Sequence, residues 1–104
     1  MTDTFVNLTP HPIDIVGLAA IPPSGAVARC AVTSVLFGGH GGAVLIRATY
    51  GAVVGLPDPL PGVMYLVSGL VRAAVPTRDD VASPGDLVRD SDGNITGCKN
   101  LVVN

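Results

Sequence analysis

Glutamate and tryptophan are both missing from this 104-residue chain, and charge of either sign is scarce, with six Lys and Arg against eight Asp. Six basic residues and a formal net charge of −2 exclude the dense cationic footprint that grips a nucleic-acid backbone, so no nucleic-acid polymer is expected as a partner. The lack of Glu removes the bidentate ligand that closes a calcium loop. Asp90-Ser91-Asp92-Gly93-Asn94 is therefore read as a turn with solvated carboxylates. Aromatics make up only 4% of the residues, so the core must be filled by small aliphatic side chains. The two cysteines, Cys30 and Cys98, stand at no ligand spacing and read as buried thiols rather than as a staple or a zinc set. The uncharged runs are broken by Gly, Pro and His before they reach the length of a membrane span. The start, Met1-Thr2-Asp3-Thr4, lacks the basic region of a secretory leader. A cytoplasmic protein with no membrane partner is the expectation.

What remains is apolar. Hydrophobic residues supply 48% of the chain, Val alone 16 positions, and the mean hydropathy is +0.54, which excludes ordinary disorder. A chain of this length forms one domain, residues 1–104. Half of its charged side chains (Arg78, Asp79, Asp80, Asp86, Arg89, Asp90 and Asp92) fall in one short stretch, whereas residues 30–46 carry none. So few charges leave apolar surface uncovered, and self-association is the expected cover, so a homo-oligomer is predicted.

The pattern predicts a mainly β (α+β) fold, a small curled sheet or partly open barrel with one short helix. Residues 5–8 form a first strand, stopped by Thr9-Pro10-His11-Pro12, and residues 13–16 resume an alternating one. Ile21-Pro22-Pro23-Ser24-Gly25 is a turn, followed by a strand over 26–32. The Gly38–Gly42 segment is a flexible turn from which residues 43–50 leave as a strand that 51–56 continue after a kink. Residues 57–62 form a proline-stiffened connector, and 63–67 a buried strand. Ser68 caps a helix running through Val75, which Pro76 ends; the helix occupies residues 68–75. Residues 87–90 and 95–103 flank Ser91-Asp92-Gly93-Asn94 as a C-terminal β-hairpin.

No catalytic signature stands out. Gly38-Gly39-His40-Gly41-Gly42 lacks the follow-on residues of a phosphate loop, and no Gly-x-Ser-x-Gly elbow accompanies it. No metal site, cofactor or catalytic residue is predicted. The candidate ligand-binding residues are Arg78, Asp79, Asp80 and Arg89, with Asn7, Thr9 and His11. The guanidinium fork of Arg78 or Arg89 suits an anionic group, and the carboxylates suit the hydroxyls or amides of a ribose or base. Asn7, Thr9 and His11 form a second polar cluster, held by two prolines. The plainer accounts are an Arg78–Asp80 or Arg78–Asp90 ion pair and a strand-end turn.

Several segments together resemble a family of small proteins of phages, prophages and mobile elements. They begin with Asn7-Leu8-Thr9-Pro10-His11, Ile21-Pro22-Pro23-Ser24-Gly25 and Val27-Ala28-Arg29. They continue with Tyr50-Gly51, Val54-Gly55-Leu56-Pro57 and Tyr65-Leu66-Val67-Ser68. Arg78-Asp79-Asp80-Val81, Pro84-Gly85, Val88-Arg89-Asp90 and Gly97-Cys98 complete the set. The resemblance spans nearly the whole chain and implies a small, intracellular, single-domain accessory protein. Two roles compete for such a protein. One is a non-enzymatic binder of a small polar or nucleotide-derived ligand, such as a counter-defence sponge for an immune signalling nucleotide. The other is a virion decoration or protein-interaction module with no small-molecule ligand. On the sponge reading, Arg78→Ala would abolish ligand binding and leave the unliganded protein as stable as before.

Overall fold

The apolar run Val63-Met64-Tyr65-Leu66 forms a strand buried on both of its faces, and the rest of the body is built around it. In the computed structural model, which describes residues 3–104, it is the fourth strand, β4 (Val63–Leu66). The leader reading of the start rests in part on Met1 and Thr2, which lie outside the described residues. β4 lies between β1 (Thr4–Asn7) and β5 (Val81–Pro84), parallel to both, and β8 (Leu101–Val103) adds antiparallel to the far side of β5. Between β4 and β5 the chain turns through α1 (Gly69–Ala74). The Ser68 hydroxyl caps this helix, accepting from the Val71 amide at 3.2 Å.

Because side chains alternate along a strand, β4 and β5 feed two cores. Tyr65 and Val81 meet Leu8, Ala28, Val67 and Val71, with Cys30 and Val53 against them, on the face that α1 covers. Leu66 and Ala82 meet Ile13, Ile15 and Cys98 on the other. The two cysteines are thus on opposite faces of the sheet and both are free thiols. The second face is covered by the 13–21 segment, bridged at Ile13–Ile21 and Ile15–Cys98, and by a small hairpin of β6 (Leu87–Arg89) and β7 (Ile95–Cys98). At Gly97 a Cβ would stand 2.7 Å from the Asp14 carbonyl oxygen, so only glycine lets β7 lie this close.

The longest elements lie outside these cores. β2 (Arg29–His40) and β3 (Ala43–Val54), twelve residues each, pair only with each other as a two-stranded ribbon. Its base, at Cys30 and Val53, packs on the first core; from Val54 and Ala31 outward the ribbon is exposed except at Val53. This arm gives the chain extents of 55 × 40 × 23 Å and a radius of gyration of 16.4 Å, against about 13 Å for a compact domain of this length.

The mainly β reading with one short helix holds, and the observed sheets are small and none closes into a barrel. Several local expectations change. The reversal at the ribbon tip uses only Gly41 and Gly42, both at positive φ, in the two-residue turn that matches strand twist; Gly38, Gly39 and His40 belong to β2. Val81–Pro84, where the sequence pattern predicts no strand, is an interior strand of the main sheet. Pro84 is tolerated there because the pairing with β4 ends at Ala82, so no ladder hydrogen bond on that side needs a donor from its nitrogen. The predicted strand over 95–103 is divided at Lys99 and Asn100, and its second half leaves the hairpin to join β5.

Candidate functional site

The parallel order β1-β4-β5 decides where the predicted site residues stand. Asn7 is the last residue of β1 and Thr9 and His11 follow it, whereas Arg78, Asp79 and Asp80 precede the N-terminal end of β5. The two groups therefore lie at opposite ends of the sheet, and Arg89 is on the separate β6–β7 hairpin. The structure does not bring the three together within one protomer.

Each group is occupied locally. Asn7 is buried, and its amide nitrogen donates to the carbonyl oxygens of His11 (2.8 Å) and Ile21 (3.0 Å). Its Oδ1 accepts from the Thr9 amide at 2.9 Å and lies 2.6 Å from the Thr9 hydroxyl. A buried amide with every donor and acceptor used fixes the turn after β1 and leaves nothing to offer a ligand. His11 contributes its backbone carbonyl to this cluster, and its side chain is exposed.

Arg78 forms a two-pronged pair with Asp80: Nε donates to Oδ1 at 2.7 Å and Nη2 to Oδ2 at 2.8 Å. Nη2 also donates to the Pro57 carbonyl oxygen at 2.9 Å, tying the proline-rich connector to the start of β5. Tyr65 completes the link, its hydroxyl donating to the Asp58 carbonyl oxygen at 3.1 Å and its amide to that of Asp80 at 2.8 Å. The hydrogen bonds from Arg78 hold the Asp80 carboxyl below the usual carboxylate range, and the same bonds raise the Arg78 guanidinium above its ordinary value. The ion pair expected at Arg78 is thus made with Asp80. Arg89 donates from Nη1 to the Gly93 carbonyl oxygen at 2.8 Å, and Asp90 Oδ1 accepts from the amides of Asp92 and Asn94, as a hairpin tip requires.

Of the candidate residues, Asp79 and Asp80 border a sizeable depression. An open groove of about 670 Å³ runs beside β1, lined by Phe5, Leu60 and Met64 together with Asp3, Asp79 and Asp80. Among the described residues no three His, Cys or Asp side chains converge as a metal centre requires, and no helix is long and apolar enough to cross a membrane.

The most unusual surface is the β2–β3 arm, whose residues were not among the predicted site. Residues directly opposite in an antiparallel pair share a face. The pairs Val32–Tyr50, Ser34–Ala48 and Leu36–Ile46 therefore lie on one face, with Val44 two residues beyond Ile46. Thr33–Thr49 and Val35–Arg47 lie on the other, where the Arg47 guanidinium sits 4.3 Å above the Phe37 ring. Leu45, Val35 and Phe37 on this second face are 37%, 51% and 58% exposed, so it is open to solvent as well, and Leu36 and Val44 on the first are 72% and 74% exposed. The first face is apolar, uncharged and uncovered. The signal available for it in the sequence is the run without charge over residues 30–46. No family model, curated protein or solved structure matches the chain.

Proposed function

We propose that this chain is a non-enzymatic, self-assembling accessory protein whose β2–β3 arm is its contact surface. This is the virion or interaction role among those that the resemblance to phage and mobile-element proteins implies. The observation that carries it is the arm itself, a ribbon of twelve-residue strands bearing Val32, Leu36, Val44, Ile46 and Tyr50 exposed to water. An isolated two-stranded ribbon is marginal in water, and a contiguous apolar face of this kind marks a place where another molecule binds. The two cores close without the outer arm, so its length is not needed to fold the body. Sedimentation velocity over a range of concentrations tests the proposal: an oligomer supports it, and a monomer at every concentration overturns it.

A second reading, the small-ligand binder, draws on the groove beside β1. Its apolar lining and the exposed carboxylate of Asp79 suit a flat, hydroxyl- or amine-bearing group. Phosphate is disfavoured there, because Asp3, Asp79 and Asp80 would repel it and the Arg78 guanidinium is held by Asp80. Thermal melting with nucleosides, nucleotides and cyclic nucleotides tests this reading. A ligand that raises the transition in the wild type but not in Asp79→Asn supports it, and a transition that no ligand moves rejects it. A cytoplasmic setting goes with the binder, and a virion with the assembly role.

A further inference from the structure

We infer that the outer edge of β1 and the groove beside it form a docking site for an extended peptide segment of another protein, one in which Lys or Arg alternates with apolar residues. The segment adds to β1 as a further strand and lays its basic side chains against Asp3 and Asp79. The site involves no residue of the arm. It takes the groove of the small-ligand reading but assigns it a different class of occupant, and so goes beyond both readings above.

Three observations carry it. First, β1 has an open edge. The Thr4 and Leu8 amides donate to the Gly62 and Leu66 carbonyl oxygens, both at 2.8 Å, which turns Thr4, Val6 and Leu8 toward β4. The N–H and C=O of Phe5, out of step by one residue, therefore face away from the sheet. Among the described residues β1 pairs with β4 alone, and its outer edge is covered at Asn7, whose carbonyl oxygen accepts from the Ser24 amide at 2.9 Å. An unpaired donor and acceptor on one edge-strand residue are the complement of another backbone, which selects a peptide over a small amine.

Second, this edge adjoins an uncovered face. Phe5 stands opposite Met64, and Met64 opposite Asp80, one residue before the Tyr65–Val81 pair. That row lies on the face of the second core, two residues before the buried Leu66–Ala82 pair. Phe5, Leu60 and Met64 line the groove there, and Phe5 is 39% exposed. A strand added beside Phe5 sends every second side chain onto this face.

Third, the charge is one-sided. Both carboxylate oxygens of Asp80 are held by Arg78, whereas Asp3 and Asp79 are exposed and, among the described residues, unpaired. No Lys, Arg or His lines the groove. Two uncompensated carboxylates attract a basic segment and repel an acidic one.

Selection from a displayed library of random linear peptides on the immobilised full chain tests the inference. Enriched sequences are expected to alternate Lys or Arg with β-branched or aromatic residues. The double variant Asp3→Asn, Asp79→Asn, its folding checked by its melting transition, is expected to bind the enriched peptides about tenfold more weakly. Raised salt is expected to weaken them in the wild type. Synthetic copies methylated on single backbone nitrogens read the strand pairing without altering the protein. Binding is expected to fall at one position, or at positions two apart, and to survive in between. No enriched sequence, enrichment that the double variant retains in full, or binding that methylation leaves unchanged at every position overturns the inference. Butylamine that displaces the peptides and binds as tightly as they do makes the groove a small-cation site and also overturns it. Peptides that bind a chain found monomeric by sedimentation velocity sustain the inference while the assembly reading falls. Peptides that bind where no nucleoside or nucleotide shifts the melting transition sustain it while the small-ligand reading falls.

Discussion

The side chain of Asn104 closes the C-terminal end of α1, its Nδ2 donating to the Val75 carbonyl oxygen at 2.9 Å. The same nitrogen lies 3.2 Å from the Arg72 carbonyl oxygen and 3.1 Å from that of Arg78, and Arg72 Nη1 donates back to Asn104 Oδ1 at 3.2 Å. The last carbonyls of a helix have no partner within it, so a donor placed there satisfies them in its stead. Asn104→Ala is expected to destabilise the chain by about 1 kcal/mol. Urea denaturation checks this, and an unchanged midpoint would mean that water serves these carbonyls equally well.

Arg78→Met leaves the Asp80 carboxylate half-buried without its partner and frees the proline-rich connector. A loss of about 1–3 kcal/mol near neutral pH is expected. This reverses the expectation that removing Arg78 leaves the free protein as stable as before. A variant with an unaltered denaturation midpoint would restore that expectation.

The same pair sets a pH dependence. The Asp80 carboxyl is held below its ordinary range, first by the hydrogen bonds from Arg78. A lowered value in the folded state means that the unfolded chain binds the proton more readily. The pair's contribution is therefore complete above about pH 4, the unfolded value, and is lost as pH falls through the lower folded one. Denaturation curves of wild type and Arg78→Met should stand apart at neutral pH and draw together below about pH 4. A gap that stays constant into acid would show that the pair contributes through packing alone.

Asn7→Ala removes a buried amide that serves two carbonyls and the Thr9 amide. A cost of about 2–3 kcal/mol is expected, since the abandoned groups lose their partners. The melting temperature reads this directly. A substitution that leaves it unaltered would instead free Asn7 for the ligand role that its polarity suggested.

Leu66 and Leu36 are chemically identical and physically opposite. Leu66 is fully buried between β1 and β5, so Leu66→Ala should cost about 2–5 kcal/mol. Leu36 is 72% exposed, and in dilute protein Leu36→Ala should change stability by less than about 0.5 kcal/mol. As concentration rises and copies associate, the second variant should fall behind the wild type. Melting curves at low and high concentration separate these outcomes, and a Leu36 effect independent of concentration would place that residue in the protomer's own core.

Legibility in the sequence followed the range of the interactions. The helix was readable because its cap at Ser68 and its stop at Pro76 are local. So was the β6–β7 turn, where Asp90 and Gly93 set their own backbone. β5 was hidden because Asp79-Asp80 before it and Pro84-Gly85 after it are the residues of a loop, and its strand pairing comes from β4 and β8. The candidate site failed to converge for a related reason. Asn7 and Arg78 both looked polar and preorganised, and both are, but a parallel arrangement of β1, β4 and β5 sends them to opposite ends. Strand order of that kind depends on pairings between distant residues, which no local pattern encodes.

The arm has a further consequence, for the route by which the chain folds. Thr4 must pair with Val63 in parallel, a connection that encloses β2 and β3 and is slow to close in a structureless chain. The ribbon is an antiparallel hairpin around a two-residue turn, a local element of the kind that closes on a scale of about 1–10 μs. Once Arg29 meets Val54, the segment that remains to be closed is roughly halved, lowering the entropic cost by about 0.6 kcal/mol. The element that extends furthest from the body thus shortens, through its base pairing, the loop that the pairing of β1 with β4 has to close.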